Sequence, residues 1–143
     1  DEHFVKVPVS SQPLAILCSP AFPAASAGEL SVPELARQPL LLKEPGSMIR
    51  RIVDSAFLFY DLTALPAWTS TSSAILLKAA REGMGVAILP RALAGADLEA
   101  GTLTELTVPD FNLDCTTHVT FLQDKYQTSA FQAFMNVILF SLT

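Results

Sequence analysis

A short apolar run that ends in a Pro-Gly-Ser corner and continues as an amphipathic helix, residues 40–57 (LLLKEPGSMIRRIVDSAF), constrains this chain more than any other stretch. Leu40, Leu41 and Leu42 have the length of a buried strand, Pro45 and Gly46 break it, and Ser47 stands where a helix N-cap stands. Behind Ser47 the apolar residues Met48, Ile49, Ile52, Val53, Ala56 and Phe57 recur as adjacent pairs at helical spacing. Arg50, Arg51 and Asp54 fall on the opposite side. The first N–H groups of such a helix lack intrahelical partners and sit at the positive end of its dipole. Gly46, Ser47 and the backbone after them therefore either simply cap the helix or also hold a carboxylate or other small anion.

The same strand, hydroxyl corner and helix follow a second time. Residues 67–69 (AWT) are short and strand-like, Ser70, Thr71 and Ser72 offer another N-cap, and residues 73–82 form a helix that ends at Gly83. Ala74, Ile75, Leu77 and Ala80 are expected on its inner side and a Lys78–Glu82 pair on its outer side. Before the first unit, Ser31-Val32-Pro33-Glu34 is a capping box that opens a short helix through Arg37, stopped by Gln38-Pro39. Strands are expected over residues 4–9 and 12–19, joined or successive, and over 85–90, 103–108 and 117–122. Residues 20–28 read as loop, and 91–94 as a helical turn. An amphipathic helix over residues 129–142 closes the chain, with Phe131, Phe134, Met135, Ile138, Leu139 and Leu142 on one face that must pack on something substantial. Alternation of strands and helices at these lengths means an α/β fold with a mostly parallel sheet.

Composition narrows what such a fold can do. At 143 residues the chain can bury one core or two small lobes. It is 50% hydrophobic and only 16% charged, which suits a sheet buried on both faces or apolar surface meant for a partner. A net charge of −5, with nine scattered Lys and Arg residues, argues against nucleic acid binding by this chain itself. No run approaches the roughly 18 apolar residues of a membrane span, and Asp1-Glu2-His3 is no signal peptide, so a soluble, cytoplasmic protein is expected. Cys18 sits in an apolar strand and Cys115 in a polar stretch read as loop. Their spacing suits no metal, and both read as incidental thiols of a reducing compartment.

Catalytic signatures are missing. Pro45-Gly46-Ser47-Met48-Ile49 lacks the glycines of a nucleophile elbow, and Gly83-Met84-Gly85 precedes its strand instead of following one. His3 and His118 have no acidic or nucleophilic partner at a telling spacing, paired carboxylates are absent, and no His/Cys/Asp cluster fits a metal. Neither an enzyme nor a cofactor is expected.

Four pieces in order resemble the effector-binding domain of LysR-type transcriptional regulators: SVPELA followed by QPLL at residues 31–41, EPGS with Arg50 behind it, SAILLKAAREGMGVAILP at 73–90, and LEAGTLTEL at 98–106 leading to the strand at His118 and the last helix. GMGVAILP at 83–90 is the most specific of them. The resemblance implies a type II periplasmic-binding-protein-like fold, with two Rossmann-like α/β lobes joined by crossing strands and a small ligand in the cleft. It implies a second lobe over about residues 10–85, with 1–9 and 86–143 as crossover strands and the remainder of an incomplete first lobe. Pro45, Gly46, Ser47 and Met48 map onto the family's cleft-facing corner and Val86 onto an apolar wall, while Thr69 and Ser70 are further candidates at the neighbouring corner. The winged helix-turn-helix and roughly the first seventy residues of a two-lobed effector domain of about 200 residues are expected to lie outside this sequence. DNA would then be reached only through that N-terminal domain, and self-association into a homo-oligomer is expected. A solute-binding protein of the same fold, serving transport, is the alternative, and an interaction-only fragment without a ligand is a third reading.

Overall fold

A computed structural model describes residues 3–122 and 128–141. Its elements are β1 (Phe4–Cys18), α1 (Val32–Ala36), β2 (Leu40–Lys43), α2 (Met48–Leu58), β3 (Pro66–Ser70), α3 (Ser73–Arg81), β4 (Val86–Pro90), α4 (Gly95–Ala100), β5 (Thr104–Leu106), β6 (Asp114–Leu122) and α5 (Ser129–Ser141). Leu142, expected in the last helix, lies outside the described residues.

The chain divides into two compact units, residues 13–115 and residues 1–12 with 116–143. In the larger unit the strands lie in the order β3-β2-β4-β1-β5. β3, β2 and β4 run parallel, whereas the second half of β1 is antiparallel to both β4 and β5, so the sheet is mixed. β4 lies between β2 and β1, pairing Val86 with Leu40 and Ile88 with Ile16. Residues 86–115 fall within the larger unit.

Helices cover both faces, which explains why these strands read as continuous apolar runs. One face carries Leu14, Ile16, Leu40, Leu42, Val86 and Ile88 against Val32 and Leu35 of α1 and Val53 and Phe57 of α2. The other carries Ala15, Leu17, Leu41, Ala87 and Leu89 against Leu76, Leu77 and Ala80 of α3. Alternation along each strand sends neighbours to opposite layers, and each fully buried Leu or Phe contributes roughly 1.5–3 kcal/mol.

Helix faces differ from expectation at particular residues. Arg50 is buried, with Val53 and Phe57, while Met48 is exposed. The turn before α2 places a backbone carbonyl, that of Lys43, where the Arg50 guanidinium can reach it. In α3 the buried residues are Leu76, Leu77 and Ala80, while Ala74 and Ile75 face outward. The Lys78–Glu82 pair does not form; Arg81 reaches Asp97 of α4 instead, at 3.0 Å. Residues 95–100, unread as a helix, form α4, and residues 23–26 make a 3-10 turn within the expected loop. Cys115 lies in β6, not in a loop.

In the smaller unit β6 pairs with β1, and Phe131 of α5 meets Phe121 of β6 edge-on at 4.8 Å. On the expected apolar face of α5, Phe131 packs on Phe121 and Met135 is buried, while Phe134 is 58% exposed; the side chains of Ile138 and Leu139 lie outside the described residues. No helix among the described residues is long and apolar enough to cross a membrane.

Candidate functional site

The Pro-Gly-Ser corner and the Ser70 corner come together because β2 and β3 are parallel neighbours. Lys43, the last residue of β2, is in register with Ser70, the last of β3, so both hydroxyl corners leave the same edge of the sheet. In open α/β sheets the crevice outside the carboxyl ends of the strands is where ligands bind.

Gly46 carries φ of +96°, a left-handed conformation that favours glycine, and turns the chain into α2. Ser47 is the N-cap: its Oγ accepts the Arg50 N–H at 3.0 Å, and its own N–H donates to the Glu44 carbonyl at 3.3 Å. The N–H groups of Met48 and Ile49 have no acceptor among the described residues. They are the donors that a ligand could use.

The charged side chains around this corner stitch it together. Arg50 donates to the Lys43 carbonyl at 3.1 Å and to Asp54 at 3.0 Å, and Lys43 Nζ donates to the Thr71 carbonyl across the neighbouring corner. Glu44 approaches Lys43 at 3.9 Å, and its Oε2 is buried without a hydrogen bond. Ser70 Oγ accepts the Ser72 N–H at 3.0 Å, leaving its O–H to donate outward, and Thr69 is exposed beside it. Pro45 and Gly46 are exposed and Ser47 is half-buried.

The structure thus assembles Pro45, Gly46, Ser47, Met48, Thr69 and Ser70 at one edge, but not Val86. Val86 is fully buried and pairs with Leu40, at the opposite end of β2 from the corner. Three residues of strand separate the two ends, about 10 Å. Its side chain is core.

A groove of about 570 Å³ lies next to the corner, along the outer flank of α2. Met48, Arg51 and Ile52 line it from the helix, Phe59 from just past its end, and Asp110 and Asp114 from the facing segment. Only Met48 among these was a sequence candidate. His3 and His118 are exposed, and no cluster of metal-binding side chains occurs among the described residues.

Residues 1–141 match the LysR substrate binding domain model. The chain belongs to the LysR substrate-binding domain family. This LysR domain is 27% identical over 121 residues to the HTH-type transcriptional regulator CfxR of Cupriavidus necator, which covers 85% of this chain and 38% of CfxR. The chain therefore spans well under half of that relative. Among solved structures, the Synechocystis CcmR regulatory domain in complex with 2-PG superimposes with a TM-score of 0.79 at 19% identity, covering 100% of this chain and 69% of that one. The effector-binding domain of QuiR in complex with shikimate gives a TM-score of 0.77 at 16% identity, covering 97% of this chain and 65% of that one. The fold is that of LysR effector-binding domains, the type II periplasmic-binding-protein-like fold, and the family is a binding domain of transcriptional regulators, not an enzyme.

Proposed function

We propose that this chain is the effector-sensing part of a LysR-type transcriptional regulator, working in the cytoplasm, and that it holds a small anionic metabolite at Pro45, Gly46, Ser47 and Met48. Thr69 and Ser70 would add hydroxyl donors from the adjacent corner. The observation that carries this reading is the pair of unpartnered N–H groups of Met48 and Ile49 at the carboxyl edge of β2 and β3. With Arg50 and Lys43 engaged by carbonyls, the anion would be held by backbone dipoles and hydroxyls more than by a free cation. QuiR in complex with shikimate, a carboxylate, supports the ligand class. The family match and the curated relative stand on the regulator side, not the transport side.

Occupation would act by population shift. A ligand that meets this corner better in one conformation of the parent regulator favours that conformation by its difference in affinity, and a DNA-binding domain outside this chain reads the change. Self-association is part of the proposal. β3 is an edge strand with Trp68 58% exposed, and Ile75 of α3 nearby in sequence is 61% exposed. Sedimentation at rising concentration checks it: Trp68→Glu should lower the association, and an unchanged profile would remove this edge from the proposal.

A thermal-shift screen of small carboxylates and phosphates, shikimate among them, tests the site. The expected hits raise the Tm of the chain and shift Ser47→Pro less, because that variant loses the hydroxyl and the Ser47 N–H bond to the Glu44 carbonyl that shapes the corner, while the Met48 and Ile49 donors remain. Hits that stabilise both proteins equally would place the anion elsewhere.

A further inference from the structure

The groove on the outer flank of α2 has two ends of different chemistry. Cys115 Sγ lies 3.6 Å from Met48 Sδ at the start of the helix, and the Tyr60 hydroxyl donates to the Asp110 carbonyl just beyond its end. The segment 110–114 therefore runs antiparallel to α2, with Asp114 near Met48 and Asp110 near Tyr60. Met48, Ile52, Ala56 and Phe59 follow one another at helical spacing along the wall between.

At the Met48 end stand a guanidinium and a carboxylate, Arg51 and Asp114, and neither side chain has a hydrogen bond or ion pair among the described residues. The ring of Phe59, 83% exposed, meets that of Tyr60 edge-on at 5.3 Å at the far end. An apolar cavity of this size with a few convergent polar groups has the make-up of a small-molecule site. The lining lies wholly within residues 13–115, and neither Gly46 nor Ser47 is part of it.

We infer that this groove is a second ligand site, separate from the Ser47 corner, which takes a zwitterion with an aromatic body, an aromatic α-amino acid. Its carboxylate pairs with Arg51 and its ammonium with Asp114, while the ring lies over Ile52 and Ala56 toward Phe59. Asp110 at the aromatic end disfavours a ligand with a second anionic group there. Met48 belongs to both sites by different atoms, offering its N–H to the corner and its thioether to the groove.

The test is calorimetric titration of the chain with L-phenylalanine, 3-phenylpropanoate and 2-phenylethylamine, the last two each lacking one charge. Phenylalanine should saturate, and each analogue should bind about tenfold more weakly. Arg51→Gln and Asp114→Asn, both at exposed positions, should each weaken phenylalanine by about tenfold and erase its advantage over the analogue that lacks the matching charge. Ser47→Pro should leave phenylalanine affinity within about twofold. Absence of saturable heat at millimolar ligand, equal binding of the three compounds, indifference to Arg51→Gln and Asp114→Asn, or loss in Ser47→Pro would each overturn the assignment.

Discussion

Arg50 holds the corner in shape. It is a charged residue with only 9% of its surface exposed, and its guanidinium bridges the Lys43 carbonyl and Asp54. Arg50→Ala should lower stability by about 1–2 kcal/mol in urea unfolding, since the partly buried Lys43 carbonyl loses its donor; a change near zero would mean that water replaces the guanidinium at no cost. Polarity alone had put Arg50 on the solvent side of the helix. Periodicity cannot register a carbonyl that a turn delivers, seven residues upstream, to the inner face. Ser47, by contrast, was legible, because a capping hydroxyl acts through its own neighbours in sequence. Cys18 was legible as a buried strand residue, and its burial pushes the thiol from the ordinary 9.0 up to about 11. Between those two values the unfolded chain releases a proton that the folded one keeps, so stability is intact below pH 9 and falls as pH rises toward 11. The loss should reach about 2–3 kcal/mol. Urea midpoints across this range for the wild type and Cys18→Ala isolate the effect, the variant lacking this part of the decline; parallel curves would contradict it.

Strand–corner–helix units could be read from sequence as elements, because Leu40-Leu41-Leu42, the Ser47 and Ser72 caps and Gly83 are local signals. Which face of α3 points inward could not. Residues 74–77 are Ala, Ile, Leu and Leu, apolar around most of a turn, and only the contact with β2 and β4 selects Leu76 over Ile75. Gly85 belongs to this scale. A Cβ there would lie 2.2 Å from the Pro39 carbonyl oxygen, and that carbonyl accepts the Val86 N–H at 2.9 Å where β4 joins β2. Gly85→Ala should destabilise by about 2 kcal/mol or more by forcing the two strands apart, whereas a thermal melt matching the wild type would show that the backbone there yields freely. The groove had no local signature at all. It exists because residues 110–114 return against α2 from more than fifty positions away.

At the scale of the molecule, the mixed sheet of the larger unit is arranged so that its parallel half carries the corners. The family was legible because four short pieces occur in order, with Gly83 to Pro90 as the most specific. What covers the exposed Phe134, Val137, Trp68 and Leu65 was not, because no local pattern in the sequence names a covering surface. The central claim concerns backbone donors, so backbone amides should report it. In nitrogen-15-labelled protein titrated with the strongest anion from the thermal-shift screen, the amide resonances of Met48 and Ile49 should shift furthest, with Thr69 and Ser70 next. Large shifts elsewhere with Met48 and Ile49 unmoved would contradict the account.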